Sequence, residues 1–227
     1  MARMNKLKSL LIVVYTLLIS LNLSAQINDA QLWSDVKFNY KLSKSASFYA
    51  ESSLRFTNNI SSIGLGYLEI GTEYKLGKMW EISGGYRFYE KRKKKHDYFS
   101  NNHRLNIDLA FKKNYYLFSF QLRTRAEMEY ADIYSSNESV PTFKWRNKIQ
   151  VKYSLTKKIK PFLSLEYYFP LSSSNYFELV KSRYCIGSEY KINRHNSLEI
   201  YYLIENQFHQ VDPNNNYVTG ISYICSF

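Results

Sequence analysis

Charged side chains recur at every second position along most of this sequence, and they are the residues that could do chemistry. Glu51, Arg55, Glu69, Glu73, Arg87, Arg104, Asp108, Arg123, Arg125, Glu127, Glu129, Arg146, Glu166, Arg183 and Glu189 each alternate with apolar or aromatic neighbours. Lys144, Glu199 and Glu205 follow the same pattern. A period of two puts alternate residues on opposite faces of a strand. Arginines and carboxylates therefore share one face and can pair there. An unpaired charge shut away from water costs several kcal/mol, so such a face either pairs internally or stays wet. Two uses follow: a structural plug of Arg–carboxylate pairs, or a polar channel or solute-binding lumen.

Other chemistry has thinner support. Lys91-Arg92-Lys93-Lys94-Lys95 is a run of five cations, followed by His96 and Asp97. Its local field suits phosphates or acidic polysaccharide. A solvated, disordered loop is the alternative reading. No aromatic interleaving or nucleic-acid motif accompanies it, so no nucleic-acid partner is expected. The four histidines, His96, His103, His195 and His209, form no HExxH pair and no Cys–His cluster. His96 with Asp97, and His209 with Asp212, are the pairs an enzyme at the rim would use. No catalytic residue, metal ligand or cofactor is assigned. Cys185 shares the charged face and Cys225 the apolar one, so two free thiols are expected.

The elements that position these residues read as strands. About eleven alternating segments cover residues 31–227, and 22 tyrosines are spread along the chain. Tyrosine suits both strands and membrane interfaces. Trp33, Trp80, Trp145, Tyr130, Tyr153 and Tyr190 lie near segment ends, as an aromatic girdle would. Short connections (41–46, 75–79, 112–115, 154–160, 191–197) alternate with long polar ones (90–102, 131–142, 170–178, 209–216). Short turns at one end and long loops at the other is the pattern of a transmembrane barrel. Counting back from the last segment, residues 31–40 run in the same direction as the end of the chain. Even numbers are the rule for such barrels, so 10 or 12 strands are expected, with 57–62 as the alternative place to mend the count.

Residues 1–25 read as a signal peptide. Arg3, Lys6 and Lys8 precede an apolar run of about 15 residues, and Leu23-Ser24-Ala25 makes a small-residue cleavage site. The run is shorter than the roughly 20 residues a spanning helix needs. Cleavage would lower the formal charge from +12 to about +9. The fold class is all-β: one antiparallel up-and-down barrel of about 10–12 strands over residues 26–227, crossing a membrane because closed barrels satisfy their backbone in lipid. A soluble exported β protein is the alternative.

Several short pieces carry a resemblance. They are Gln31-Leu32-Trp33, Leu54-Arg55, Tyr74-Lys75-Leu76, Gly85-Tyr86-Arg87, His103-Arg104-Leu105, Arg123-Thr124-Arg125 and Gly220-Ile221-Ser222-Tyr223. In this order they resemble a family of bacterial outer-membrane β-barrel proteins of unknown function. The last strand, ending at Phe227, resembles the signal read by the Gram-negative barrel assembly machinery. The resemblance implies an outer-membrane location, with outer-membrane lipid and lipopolysaccharide as partners. It brings no catalytic residues. A structural, surface-binding or small-solute role is expected, with an enzyme acting on lipid or peptide at the rim as the alternative.

Overall fold

The computed structural model describes residues 27–93, 98–131, 141–171, 178–209 and 214–227. Eleven strands run in chain order: β1 (Ile27–Lys41), β2 (Ala46–Thr57), β3 (Ser62–Leu76), β4 (Trp80–Lys93), β5 (Tyr98–Tyr115), β6 (Phe118–Ala131), β7 (Thr142–Tyr153), β8 (Ile159–Pro170), β9 (Lys181–Lys191), β10 (Asn196–Gln207) and β11 (Asn214–Ser226). Each pairs with its sequence neighbours, and β1 meets β11 to close the barrel.

The count corrects the even number expected from sequence. With eleven up-and-down strands the first and last point the same way, so β1 and β11 pair in parallel, from Ile27↔Asn214 to Asn39↔Ser226. All other neighbours are antiparallel. Among the described residues there is no further strand; residues 57–62 are a short turn at the same end of the barrel as the β6–β7, β8–β9 and β10–β11 connections. Asn58, Asn59 and Ile60 take positive φ there, a conformation Asn tolerates and Ile seldom adopts. The turn is tied to β1. Asn59 N–H donates to Asp29 Oδ1 at 2.8 Å, and Ile60 N–H to the Ala30 carbonyl at 3.1 Å.

Residues facing each other across neighbouring strands, followed round the barrel from Asn114 on β5, run through Ser119, Lys152, Phe162, Gly187, Tyr201, Gly220, Trp33, Arg55, Leu65 and Lys91. They return to β5 at Ser100, fourteen residues before Asn114. With strand rises of ~3.3 Å and spacings of ~4.8 Å, that stagger tilts the strands by about 40°.

The outer face is apolar on every strand. Val36, Leu54, Leu68, Tyr86, Ile107, Leu122, Ile149, Leu163, Ile186, Ile200 and Ile221, one from each, are exposed, Ile107 to 64%. Soluble proteins rarely expose contiguous apolar surface beyond a few hundred Å². Among the girdle candidates, Trp80, Trp145 and Tyr190 are exposed. Trp33 is not. It is 5% exposed and packs inside against Leu203 and Val218. Its parity with Asp35 and Lys37 turns it inward, and nearness to a strand end cannot override a period of two.

The long connection expected over 90–102 also needs correction. β4 continues to Lys93 and β5 begins at Tyr98, pairing Lys91↔Ser100, Arg92↔Phe99 and Lys93↔Tyr98. Three of the five cations therefore stand on a strand, because alternation and cross-strand pairing persist through the basic run. Lys94, Lys95, His96 and Asp97 lie outside the described residues, as do Asp212 and the signal segment 1–25. No helix among the described residues is long and apolar enough to cross a membrane.

Candidate functional site: the barrel interior

The inner faces of the strands enclose a cavity of about 690 Å³. An eight-stranded barrel is just wide enough for side chains to fill, and sixteen strands leave an open channel. Eleven falls between: the wall's side chains span much of the lumen and leave a residue of space. The lining reaches Asn39, Lys112 and Gln121 near the short turns, and Lys91, Lys144 and Gln207 near the loops.

Ion pairs run across neighbouring strands. Arg125 on β6 donates two hydrogen bonds to Asp108 on β5, at 2.6 and 2.7 Å. Arg104 reaches Glu129 at 2.8 Å and Glu127 at 3.6 Å. Arg146 on β7 contacts Glu127 at 2.5 Å and Glu166 at 2.9 Å. Arg183 on β9 holds Glu205 at 2.7 Å and approaches Glu166 at 3.7 Å. Arg87 pairs with Glu69, which also accepts from the Tyr49 hydroxyl at 3.1 Å. Glu51 meets Lys37 at 3.5 Å and the Tyr67 hydroxyl. Glu73 accepts from Ser47 at 3.4 Å, and Lys152 on β7 reaches past β8 to Glu189 on β9 at 2.9 Å.

Longer reaches cross the lumen. Arg123 on β6 bonds Glu166 on β8 at 2.9 Å. Lys152 on β7 lies 3.6 Å from Glu199 on β10. Tyr201 donates to Asp35 at 3.2 Å, over the intervening β11, whose Ser222 donates to the same carboxylate at 2.9 Å. Tyr201 can lie flat on that strand because Gly220 has no side chain; a Cβ there would sit about 2 Å from the ring.

Near the loop end, cations alternate with aromatic rings. Arg55 lies 3.8 Å from the Trp33 ring and 5.3 Å from the Tyr67 ring, and Arg87 lies 3.7 Å from the Tyr67 ring. Arg183 faces Trp33 at 5.1 Å and Tyr168 at 5.0 Å, and Arg146 faces Tyr168 at 4.6 Å. Guanidinium planes stack well on aromatic faces. The aromatic members, with Lys37, Lys148, Lys152 and Lys181, were not singled out from sequence as part of the network. Their signal was available: each shares parity with the charges beside it.

The remaining candidates lie elsewhere. His103 points outward, with Nδ1 2.7 Å from the Tyr86 hydroxyl. His195, in the β9–β10 turn, stacks on Phe227 and contacts the Ser226 carbonyl at 2.9 Å. His209 is 2.9 Å from Glu178. Cys185 lines the cavity, and both cysteines are free.

A closed, tilted, up-and-down barrel with an apolar exterior and a charged interior is an outer-membrane-type barrel. More particularly, the chain belongs to the family described as protein of unknown function (DUF2490), whose pattern it matches over residues 30–218. No curated protein matches the sequence. Among solved structures, the beta domain of the Bordetella autotransporter BrkA is similar at a TM-score of 0.54 and 10% identity, covering 83% of this chain and 86% of that one. The translocator domain of the autotransporter NalP from Neisseria meningitidis gives 0.51 and 11%, over 77% and 72%. The NanC porin gives 0.48 and 14%, over 75% and 86%. At these identities the likeness is one of fold.

Proposed function

We propose that this protein resides in the bacterial outer membrane as a non-enzymatic barrel through which small polar solutes pass. One observation carries the reading: a single cavity whose lining extends from residues at the short-turn end to residues at the loop end. The apolar exterior on all eleven strands supports a lipid setting. In this reading residues 1–25 direct export, the short turns face the periplasm, and the loops face outward. The basic stretch beginning at Lys91 would meet lipopolysaccharide phosphates. The last strand would serve the assembly machinery; Phe227 packs on Phe38 there, with ring centroids 5.8 Å apart.

A second reading has its own support. The Arg–carboxylate network spans the lumen, and Asp108, Arg125, Glu127, Arg146 and Glu166 are buried within it. That arrangement could close the barrel as a structural plug. Purified protein in a planar lipid bilayer decides between them. Discrete conducting levels are expected, and their conductance should rise when Arg146→Ala removes one link of the Arg–carboxylate network. Current no greater than that of the bare bilayer would leave the plug.

A further inference from the structure

We infer that the passage favours small anions, and that Lys91, Arg55 and Lys148 carry the preference. This rests on the passage reading above. Among the described residues, thirteen cationic and ten anionic side chains line the cavity. Ten of the cations have a carboxylate within 4 Å, among them Lys112 on Glu81, Lys144 on Glu129 and Lys181 on Glu205. The other three are Lys91, Arg55 and Lys148, which make no ion pair and no side-chain hydrogen bond among the described residues. Carboxylates stand further off: Glu129 and Glu205 act on Lys91, Glu51 on Arg55, and Glu166 and Glu199 on Lys148. Two lining carboxylates, Asp35 and Glu73, also lack a cation among the described residues; Ser47 donates to Glu73, and Tyr201 and Ser222 both donate to Asp35 Oδ2, with Oδ1 left unpartnered.

The three cations are spread along the axis. Lys91 is paired with Leu65, and Leu65 with Arg55, so two tilted strand spacings separate them. Given a tilt of about 40°, Lys91 stands roughly 6 Å above Arg55, and Lys148 roughly 9 Å below it on the far wall. Arg55 is built for a ligand at its edge. The Trp33 and Tyr67 rings lie against it, at 3.8 and 5.3 Å, and its buried Nε has no partner among the described residues. A guanidinium stacked in this way keeps its in-plane N–H donors for a carboxylate, phosphate or halide. Spaced cations let an anion enter and leave by short steps instead of trapping it.

Reversal potentials across a bilayer holding the intact protein in a KCl gradient test this. Chloride should be preferred over potassium. The variants R55Q, K148Q and K91Q combined should lower the permeability ratio by about twofold or more while current persists. K91Q alone, at the rim, should lower it in the same direction. Folding of each variant is checked by the mobility of the unheated band on a gel. A potassium preference, or an unchanged ratio in folded variants, overturns the inference and leaves the passage standing. Absence of any conducting level overturns both. The preference should also shrink toward ~1 M salt, where the screening length falls to about 3 Å.

Discussion

Glu166 is the residue on which the network converges. Its Oε1 accepts from Arg123 and Arg146, each at 2.9 Å; its Oε2 accepts from the Tyr168 hydroxyl at 2.9 Å, with Arg183 at 3.7 Å. Removing one partner of a buried ion pair leaves the other charge uncompensated and costs about 3–5 kcal/mol. Glu166→Ala should lower the urea midpoint of the folded band accordingly, with Glu166→Gln milder because an amide oxygen still accepts. An alanine variant as resistant as the parent would mean that water replaces the carboxylate at little cost. At this scale the sequence was half legible. Parity assigned Glu166, Arg146 and Arg123 to one face. It could not say that Arg123 would reach over β7 to find Glu166, because that depends on register and on the reach of a long side chain across a curved wall.

Among the elements, the β1–β11 seam is the least ordinary. Ten hairpin contacts are antiparallel and one is parallel. The direction of residues 31–40, counted from the other end, already required either an odd barrel or a missing strand. A rule of even numbers hid the simpler answer. Phe38 lies opposite Cys225 on the outer face of this seam. Neighbouring strands bring Cα atoms within the 4.4–6.8 Å that a disulfide spans. Phe38→Cys should therefore cross-link to the native Cys225 on oxidation, seen as a loss of two hydrogens in intact mass and a shift on a non-reducing gel. Two thiols that still alkylate fully would place another strand between β1 and β11. The basic run at Lys91 shows the opposite difficulty. Charge density there reads as loop, yet the partners Phe99 and Tyr98 continue the alternation on β5 and extend the hairpin.

Considered whole, the molecule sorts its side chains by solvent twice: apolar outward on every strand, charged inward on nearly all. The sorting was plain in the sequence because it needs only the period of two. The size of the remaining cavity was not, since it depends on stagger and on how far each arginine folds across the lumen. The same sorting divides the three tryptophans. Trp80 and Trp145 are exposed on the outer wall, whereas Trp33 is buried inside with a guanidinium 3.8 Å from its ring. The protein thus carries its own optical probe of the interior. With Trp80→Phe and Trp145→Phe, the remaining emission should ignore bromine atoms on lipid chains, which quench the two outer indoles in the parent. Adding Arg55→Ala should then change the spectrum. Strong quenching of the remaining indole by brominated lipid would place Trp33 against the acyl chains. Left unquenched inside the barrel, its light would report on occupancy of the lumen in a suspension of vesicles, with no electrode and no label.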